Sequence, residues 1–308
     1  MSRKPSILLV GSINMDLVVK SEYVPNGGET ILGESYDYIP GGKGANQGVA
    51  AARLGGEVTF VGKVGQDANG KQLKSNLKRE GINTDFVMED SESRTGLAVI
   101  MVEETGQNRI IVISGANMSI TKENVQKAFE KSYDAVIVQF EIPRDIVIET
   151  CRLAKEKNIP VILDAGPAQN FPIELLQGLE IISPNETEAF ALTGIEVNSA
   201  ESAEEASKIL RDKCNAKIVV LKMGDRGSYL YYKDKGEFFP SYKVKAVDTT
   251  AAGDAFTAAL AIKYIAQEDI REAVKYANVV GALAVTKMGA QPSLPTVEEV
   301  DGFIRGRG

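Results

Sequence analysis

Short apolar runs alternate with helix-length amphipathic stretches along most of this chain, and that rhythm restricts the folds open to it. ILLVGSI (7–13), EVTFVGKVG (57–65), DAVIVQFE (134–141), PVILDAG (160–166), EIISPNE (180–186) and KIVVLKMG (217–224) each read as a buried strand running out into Gly, Asn, Asp or Glu. Between them, ANQGVAAARL, DANGKQLKSNLKREG, TKENVQKAFEKS, RDIVIETCRLAKEKN and SAEEASKILRDK show helical spacing of apolar residues opposite charged faces. Such alternation implies βαβ units and a largely parallel sheet, here an α/β chain with helices on both faces. Ligands of such sheets bind at the carboxyl ends of the strands. Polar residues just past the strands are therefore the first candidates: Asn14, Asp16, Glu141, Asp164, Asn185 and Glu188.

Two segments, roughly 15–40 and 92–114, break the rhythm. DLVVKSEYV, ILGESYDYIP, TGLAVIMVEE and NRIIVISG alternate apolar and polar residues between Gly and Pro turns and contain no good helix. They are expected to form a small antiparallel sheet projecting from the α/β body. A sheet this small needs a ligand or a second subunit over its apolar face. The 308 residues are otherwise read as one α/β domain, 1–308, without internal repeats or low-complexity tracts.

Composition removes several classes of function. A net charge of −7 argues against non-specific nucleic-acid binding. Cys151 and Cys214 have no CxxC partners and there is no histidine, so neither a disulfide framework nor a Cys/His zinc site is expected; free thiols fit a cytoplasmic location. The apolar start, Ile7 to Val10, is broken by Gly11, Ser12 and Asn14, and reads as a first strand rather than a signal peptide. No window is long and apolar enough for a membrane span.

The absence of histidine sharpens the question posed by DTTAAGDAFTAAL (248–260), since a proton-moving enzyme would have to use another base. Ala251, Ala252 and Gly253 leave backbone N–H groups bare at the start of a helix expected from about Ala251 to Ala266. A helix N-terminus with bare amides is an anion site. Asp254, in the first turn, is placed to accept a proton beside the bound anion. The plainer reading is that Asp254 complements the helix dipole and Asp248 caps a turn. GGKGANQ (41–47) offers a tight turn with Lys43 and Asn46 as donors near a helix start, or a turn alone. NMD (14–16) suits hydroxyl recognition, PNETE (184–188) opens a helix with acids in its first turn, and KMGDRGSYLYY (222–232) reads as a hairpin turn. GxxxxGK[ST] is absent, and GGKGANQG fails GxGxxG because Gln47 replaces the third glycine.

Together these pieces resemble the ribokinase-like (phosphofructokinase-B-like) carbohydrate kinases over essentially the whole chain. GGKGANQG (41–48) resembles that family's first signature and DTTAAGD (248–254) its second; NMD, PNETE and GAQPSLP (289–295) fall in the expected order. The wider family often has Gly where this chain has Ala251. The resemblance implies a central, mostly parallel sheet between helix layers, with a β lid over the sugar that packs against the lid of a second subunit in a homodimer. It implies ATP-dependent phosphorylation of D-ribose on its 5-hydroxyl, with Mg²⁺ and a monovalent cation, K⁺. Sugar contacts are implied for Asn14, Asp16, Gly42, Lys43, Asn46 and Glu141, an anion hole for Ala251, Ala252 and Gly253, and the base role for Asp254. Nucleotide contacts are implied for Asn185, Lys222, Gly224, Gly227, Gly253 and Asn278; Lys222 stands where the pattern leads one to expect Thr. The cation positions are Asp248, Thr250, Ala284, Lys287, Gly289 and Ser293, several through backbone carbonyls, and Glu188 organises the Mg²⁺ region through water. The alternatives are a relative acting on deoxyribose, another sugar or a nucleoside, and a catalytically inactive sensing module. The polar crowd at Asn14, Asp16, Lys43 and Glu141, with aromatics at 6% and no Trp, favours a bare sugar.

Overall fold

The computed structural model describes residues 3–105, 107–266 and 269–307. Its strands are β1 (Ser6–Val10), β2 (Asn14–Ser21), β3 (Ser35–Gly41), β4 (Glu57–Gly65), β5 (Asn83–Asp90), β6 (Gly96–Glu103), β7 (Asn108–Ile113), β8 (Ala135–Val138), β9 (Val161–Leu163), β10 (Ile181–Ile182), β11 (Ile218–Lys222), β12 (Gly227–Tyr232) and β13 (Lys235–Pro240). The helices are α1 (Lys43–Arg53), α2 (Ala68–Arg79), α3 (Lys122–Ala128), α4 (Arg144–Glu156), α5 (Glu186–Thr193), α6 (Ala200–Cys214), α7 (Ala252–Ile265), α8 (Ile270–Ala284), α9 (Ala290–Ser293) and α10 (Val297–Arg305).

Nine strands form one sheet in the order β13-β12-β11-β10-β9-β8-β1-β4-β5. Pairing is parallel from β5 to β11 and antiparallel across β11-β12-β13. Because helices cover both faces, the inner strands are apolar without interruption. The period-2 geometry then sorts their side chains: Ile7 and Leu9 point into a core shared with α1, α2, α7 and α8, whereas Leu8 and Val10 point into a core shared with α3, α4, α5 and α6. The result is the three-layer α/β/α arrangement.

The second sheet has the order β3-β2-β6-β7. It departs from the expected antiparallel sheet at its centre, where β2 and β6 run parallel. The cause is topological. β2 and β6 leave the carboxyl ends of β1 and β5, which run in the same direction within the large sheet, and so they enter the small sheet in the same direction. β5 itself is absent from the strands read in the sequence. It lies at an edge, and NTDFVMED buries Thr84, Val87 and Asp90 without a clean apolar alternation.

Two packing details place the site. The turn into α1 needs glycine at 42, where φ is +90° and an added Cβ would lie 2.6 Å from the Asn14 nitrogen. At Gly44 an added Cβ would lie 2.7 Å from the backbone of Gly11 and Ser12, so the first turn of α1 rests directly on the end of β1. α7 is buried continuously from Asp254 to Ile262 and packs against both α1 and α8. Its AFTAALAI run leaves no solvated face, unlike the amphipathic helices around it.

Candidate active site

The residues singled out in the sequence meet where β1, β8, β9 and β11 end and α1, α5 and α7 begin. Asp254 is 5% exposed and sits in the first turn of α7. Both carboxylate oxygens are held: Asn46 Nδ2 donates to Oδ2 at 2.9 Å and Gln47 Nε2 to Oδ1 at 3.2 Å. Lys43 Nζ lies 3.5 Å from Asp254 Oδ1 and 3.6 Å from Asp164 Oδ2. Burial raises the proton affinity of Asp254; Lys43 works against that rise, and Asp164 and Glu141 add to it.

Asp164 is fully buried and accepts from Lys222 Nζ at 2.7 Å and from Gln47 Nε2 at 2.6 Å. Burial pushes its carboxyl up, but the ammonium groups of Lys222 and Lys43 outweigh it and hold the group below the ordinary range. Lys43 is likewise penalised by burial, yet Asp164, Asp254, Glu188 and Glu141 hold its proton well above the usual lysine range.

On one side of Asp254 lie the candidate sugar contacts. Asp16, near the start of β2, is buried and its pKa is pushed up to about 7 by burial, with the charges of Glu141 and Asp254 adding to it. Gly41 makes room for it, since a Cβ there would lie 2.2 Å from the Asp16 carboxylate. Asn14 Oδ1 accepts from Asn117 Nδ2 at 2.7 Å, and Glu141 Oε2 accepts from Ser12 Oγ at 2.6 Å. The Oδ1 of Asn46 is buried without a donor among the described residues.

On the other side opens a cleft of about 970 Å³. Lys43, Asn185, Glu188, Lys222, Gly224, Gly227, Ala251, Ala252, Gly253, Asp254 and Asn278 all line it, and the segment Pro240–Val244 supplies a wall that sequence reasoning did not find. Lys43 and Asp254 belong to both groups of residues and mark the junction. α7 begins without a capping side chain, from Ala251 at φ +61°, so its first-turn amides lack a side-chain partner. The Ala252 N–H donates weakly to the Thr249 carbonyl at 3.3 Å, leaving Gly253 and Asp254 as the better-placed donors. Asn185 and Glu188 form a reciprocal capping box, each side chain accepting from the other's N–H at 2.8 Å. Burial raises the Glu188 proton affinity, Lys222 opposing it. Gly227, at φ +117°, turns the hairpin between β11 and β12, and Asn278 Nδ2 donates to the Phe239 carbonyl at 3.3 Å.

The candidate cation positions come together in part. Asp248 accepts from Thr250 N–H at 2.9 Å, Thr250 Oγ1 at 2.6 Å and Gly289 N–H at 2.8 Å, so its turn-capping reading is realised. The same bonds tie it to the segment after α8, where Val285 O accepts from the Val247 and Asp248 N–H groups. Ser293 Oγ instead donates to Ala290 O, Ala284 ends α8, and the Lys287 ammonium pairs with Glu299.

The sequence assigns no role to Ser12, Asn117, Gln139 or Gln47, and offers Asp164 as a candidate only for its place just past a strand. Gln47 was legible in one respect, its place inside GGKGANQG; the others carry no local signal.

Comparison with known proteins identifies the family. Residues 4–297 match the model of the pfkB family carbohydrate kinases. The chain is 37% identical to a ribokinase of Haemophilus influenzae over 98% of its own length and 99% of the relative's. It is 38% identical to a ribokinase of Bacillus subtilis, over 97% and 99%. Among solved structures, that of Arabidopsis thaliana ribokinase complexed with ribose and ATP superposes with a TM-score of 0.90 at 34% identity, covering 98% of this chain and 99% of that one. With residues 4–297 matching that family's model and relatives covered along nearly their entire length, this chain belongs to the pfkB family of carbohydrate kinases.

Proposed function

We propose that this chain transfers a phosphoryl group from ATP to the 5-hydroxyl of D-ribose. The observation that carries the reading is the position of Asp254, a buried carboxylate at an uncapped helix N-terminus, between a polar pocket and a cleft of about 970 Å³. Asn14, Asp16, Asn46 and Glu141 hold the sugar, with Lys43 at the reacting end. Asn185, Lys222, Gly224, Gly227 and Asn278 line the nucleotide cleft. The amides at the start of α7 receive the developing negative charge, and Asp254 takes the hydroxyl proton. Phosphoryl transfer has a loose transition state, so positioning and charge stabilisation do most of the catalysis. Glu188, buried and lining the cleft beside Asn185, would hold a hydrated divalent cation through water, and that cation would neutralise phosphate charge. Ribose and ATP in the Arabidopsis complex, and the two ribokinases at 37% and 38% identity, support the choice of substrates. The two cysteines are free and buried, in keeping with a cytoplasmic site of action; no helix among the described residues is long and apolar enough to cross a membrane.

Asp254→Asn keeps the shape of the site but removes the base. Turnover is expected to fall about 10²–10⁴-fold while calorimetry still detects ribose and ATP binding. A panel of ribose, deoxyribose, hexoses and adenosine tests the substrate at the same time. Residual activity within about threefold of wild type removes Asp254 from its role, and preference for another acceptor removes ribose.

Asp16 gives the sugar site a pH dependence. Its folded pKa of about 7 lies above its ordinary 3.8, so it is ionised above pH 7 and protonated below. A carboxylate accepts hydroxyl hydrogen bonds more strongly when ionised. Ribose affinity should therefore weaken as pH falls through 7, approaching about tenfold per unit, and Asp16→Asn should flatten the profile. Calorimetric affinity that stays constant from pH 8 to 5.5 in the wild type contradicts this role.

A monovalent cation is the reading for Asp248, Thr250, Ser293 and the backbone of 284–289. Carboxylate, hydroxyl and carbonyl oxygens form a hard donor set, and the Lys287 ammonium is drawn off by Glu299. Turnover at fixed ionic strength should rise with K⁺ more than with Na⁺, and Asp248→Ala should abolish the response. A flat wild-type curve overturns it.

The small sheet is the proposed dimer contact. β7 is exposed on both faces, with Ile110 to Val112 and Ile113 between 49% and 56% accessible, and Tyr36 and Tyr38 lie open on β3. A second copy of the same sheet would cover this apolar surface. Sedimentation should show a dimer at micromolar concentration; a fully active strict monomer rules it out.

A further inference from the structure

Gln47 and Gln139 are fully buried, and the roles proposed above leave both unassigned. They are bonded in series. Gln139 Nε2 donates to Gln47 Oε1 at 2.6 Å, and Gln47 Nε2 donates to Asp164 Oδ2 at 2.6 Å and Asp254 Oδ1 at 3.2 Å. The orientation of the Gln47 amide follows from its neighbours. An ionised carboxylate only accepts, so the amide nitrogen must face Asp164 and Asp254, and the oxygen must face the Gln139 nitrogen. Gln139 is aimed from the end of β8, and its Oε1 lies where a Cβ on Gly11 would come within 2.1 Å. The amide pair therefore occupies a space that the residue just past β1 keeps clear by being glycine.

We propose that Gln139 and Gln47 form an amide relay that positions the Asp254 carboxylate and ties it to the Asp164–Lys222 ion pair on the nucleotide side. The inference rests on Asp254 being the base of the proposed reaction. Asn46 on Oδ2 and Gln47 on Oδ1 fix the plane of the carboxylate. The second hydrogen of the Gln47 amide runs to Asp164, whose other oxygen holds Lys222 at 2.7 Å, and Lys222 lines the cleft. A displacement on the nucleotide side is thereby transmitted to the base through bonds rather than through loose packing. Neither glutamine reaches the cleft lining, so both are positioning residues.

The charged groups around Asp254 set the sign of the test. Lys43 on α1 faces it directly; Asp164 after β9, Glu141 after β8 and Asp16 on β2 add negative charge; Glu188 on α5 and Lys222 on β11 act through Lys43 and Asp164. Removing an amide donor from Asp254 favours its protonated form, so the acidic limb of turnover must move to higher pH. Gln47→Met keeps length and lacks donors, Gln47→Glu adds an anion, and Gln139→Met releases the far end of the relay. Full-length variants are assayed for turnover against pH on ribose, or on whichever panel sugar the wild type phosphorylates, alongside thermal unfolding. Gln47→Met is expected to lower turnover about 10²-fold, the scale of a small misplacement of a catalytic group, with both KM values within about threefold. Its acidic limb should rise, and that of Gln47→Glu should rise further; Gln139→Met should show the same shift with about a tenfold loss. If either Gln47 variant fails to unfold cooperatively, Gln139→Met decides. Turnover within about threefold of wild type, or an acidic limb that does not move, overturns the relay. Wild type active on a sugar other than ribose overturns the substrate choice and leaves the relay to be read on that sugar; wild type active on none overturns both.

Discussion

The site depends on a balance of buried charge. Asp16, Glu141, Asp164, Glu188 and Asp254 converge on a region supplied with positive charge mainly by Lys43 and Lys222. Removing a carboxylate from water costs several kcal/mol, recovered only where a counter-charge and hydrogen bonds are in place. Asp164 is compensated by two ammonium groups and an amide, and stays ionised. Asp16 is pushed up to about 7 by burial and by the negative charges of Glu141 and Asp254. The contrast follows the number of ammonium groups each carboxylate meets, since Lys43 touches both Asp164 and Asp254 but Lys222 adds a second ammonium to Asp164. It separates Asp164, an anchor that stays charged, from Asp16, whose charge responds to neutral pH.

The fold produces this crowding. In a parallel sheet every strand ends on the same side, so Asp164, Glu141 and Lys222, which follow or close β9, β8 and β11, come together without being near in sequence. α1 then delivers Lys43, Asn46 and Gln47 from its first five residues, and α7 delivers Asp254 from its first turn. The glycines at 42 and 44 let α1 approach the end of β1 within backbone contact. α7 contributes by being apolar all round: buried against α1 and α8, it cannot shift to relieve the charge at its N-terminus.

Much of this was legible in the sequence because local patterns carry it. Alternating runs indicated the layered sheet, and small residues before Asp254 indicated the uncapped helix. What escaped was whatever depends on distant partners. β5 hides because an edge strand buries only part of its length and NTDFVMED spends its other positions on charge. The parallel β2-β6 pair hides because strand direction is inherited from β1 and β5, not written in β2 or β6. Gln47 and Gln139 look like ordinary polar residues, and Asp164 stands out only for its place past a strand. Their significance lies in bonds across 92 and 117 residues of chain, between Gln139 and Gln47 and between Gln47 and Asp164. Lys222 was noticed for its departure from Thr, but its grip on Asp164 is visible only in three dimensions.

In the proposed reaction of this histidine-free chain the base is a carboxylate, and an exposed carboxylate is a poor base because it holds a proton weakly. Burial corrects this by raising proton affinity, but it also favours a permanently protonated and useless acid. Here the two tendencies meet at Asp254: burial, Asp164 and Glu141 raise its affinity, while Lys43, Asn46 and the Gln47 amide stabilise its anion. The donors do more than hold geometry, since each lowers the proton affinity that burial raises. Loss of a donor therefore pushes the group toward an acid unable to accept a proton, and loss of burial pushes it toward a weak base. An aspartate in the proposed role is workable only between those limits, which is why the uncharged residues around it matter as much to the chemistry as the charged ones.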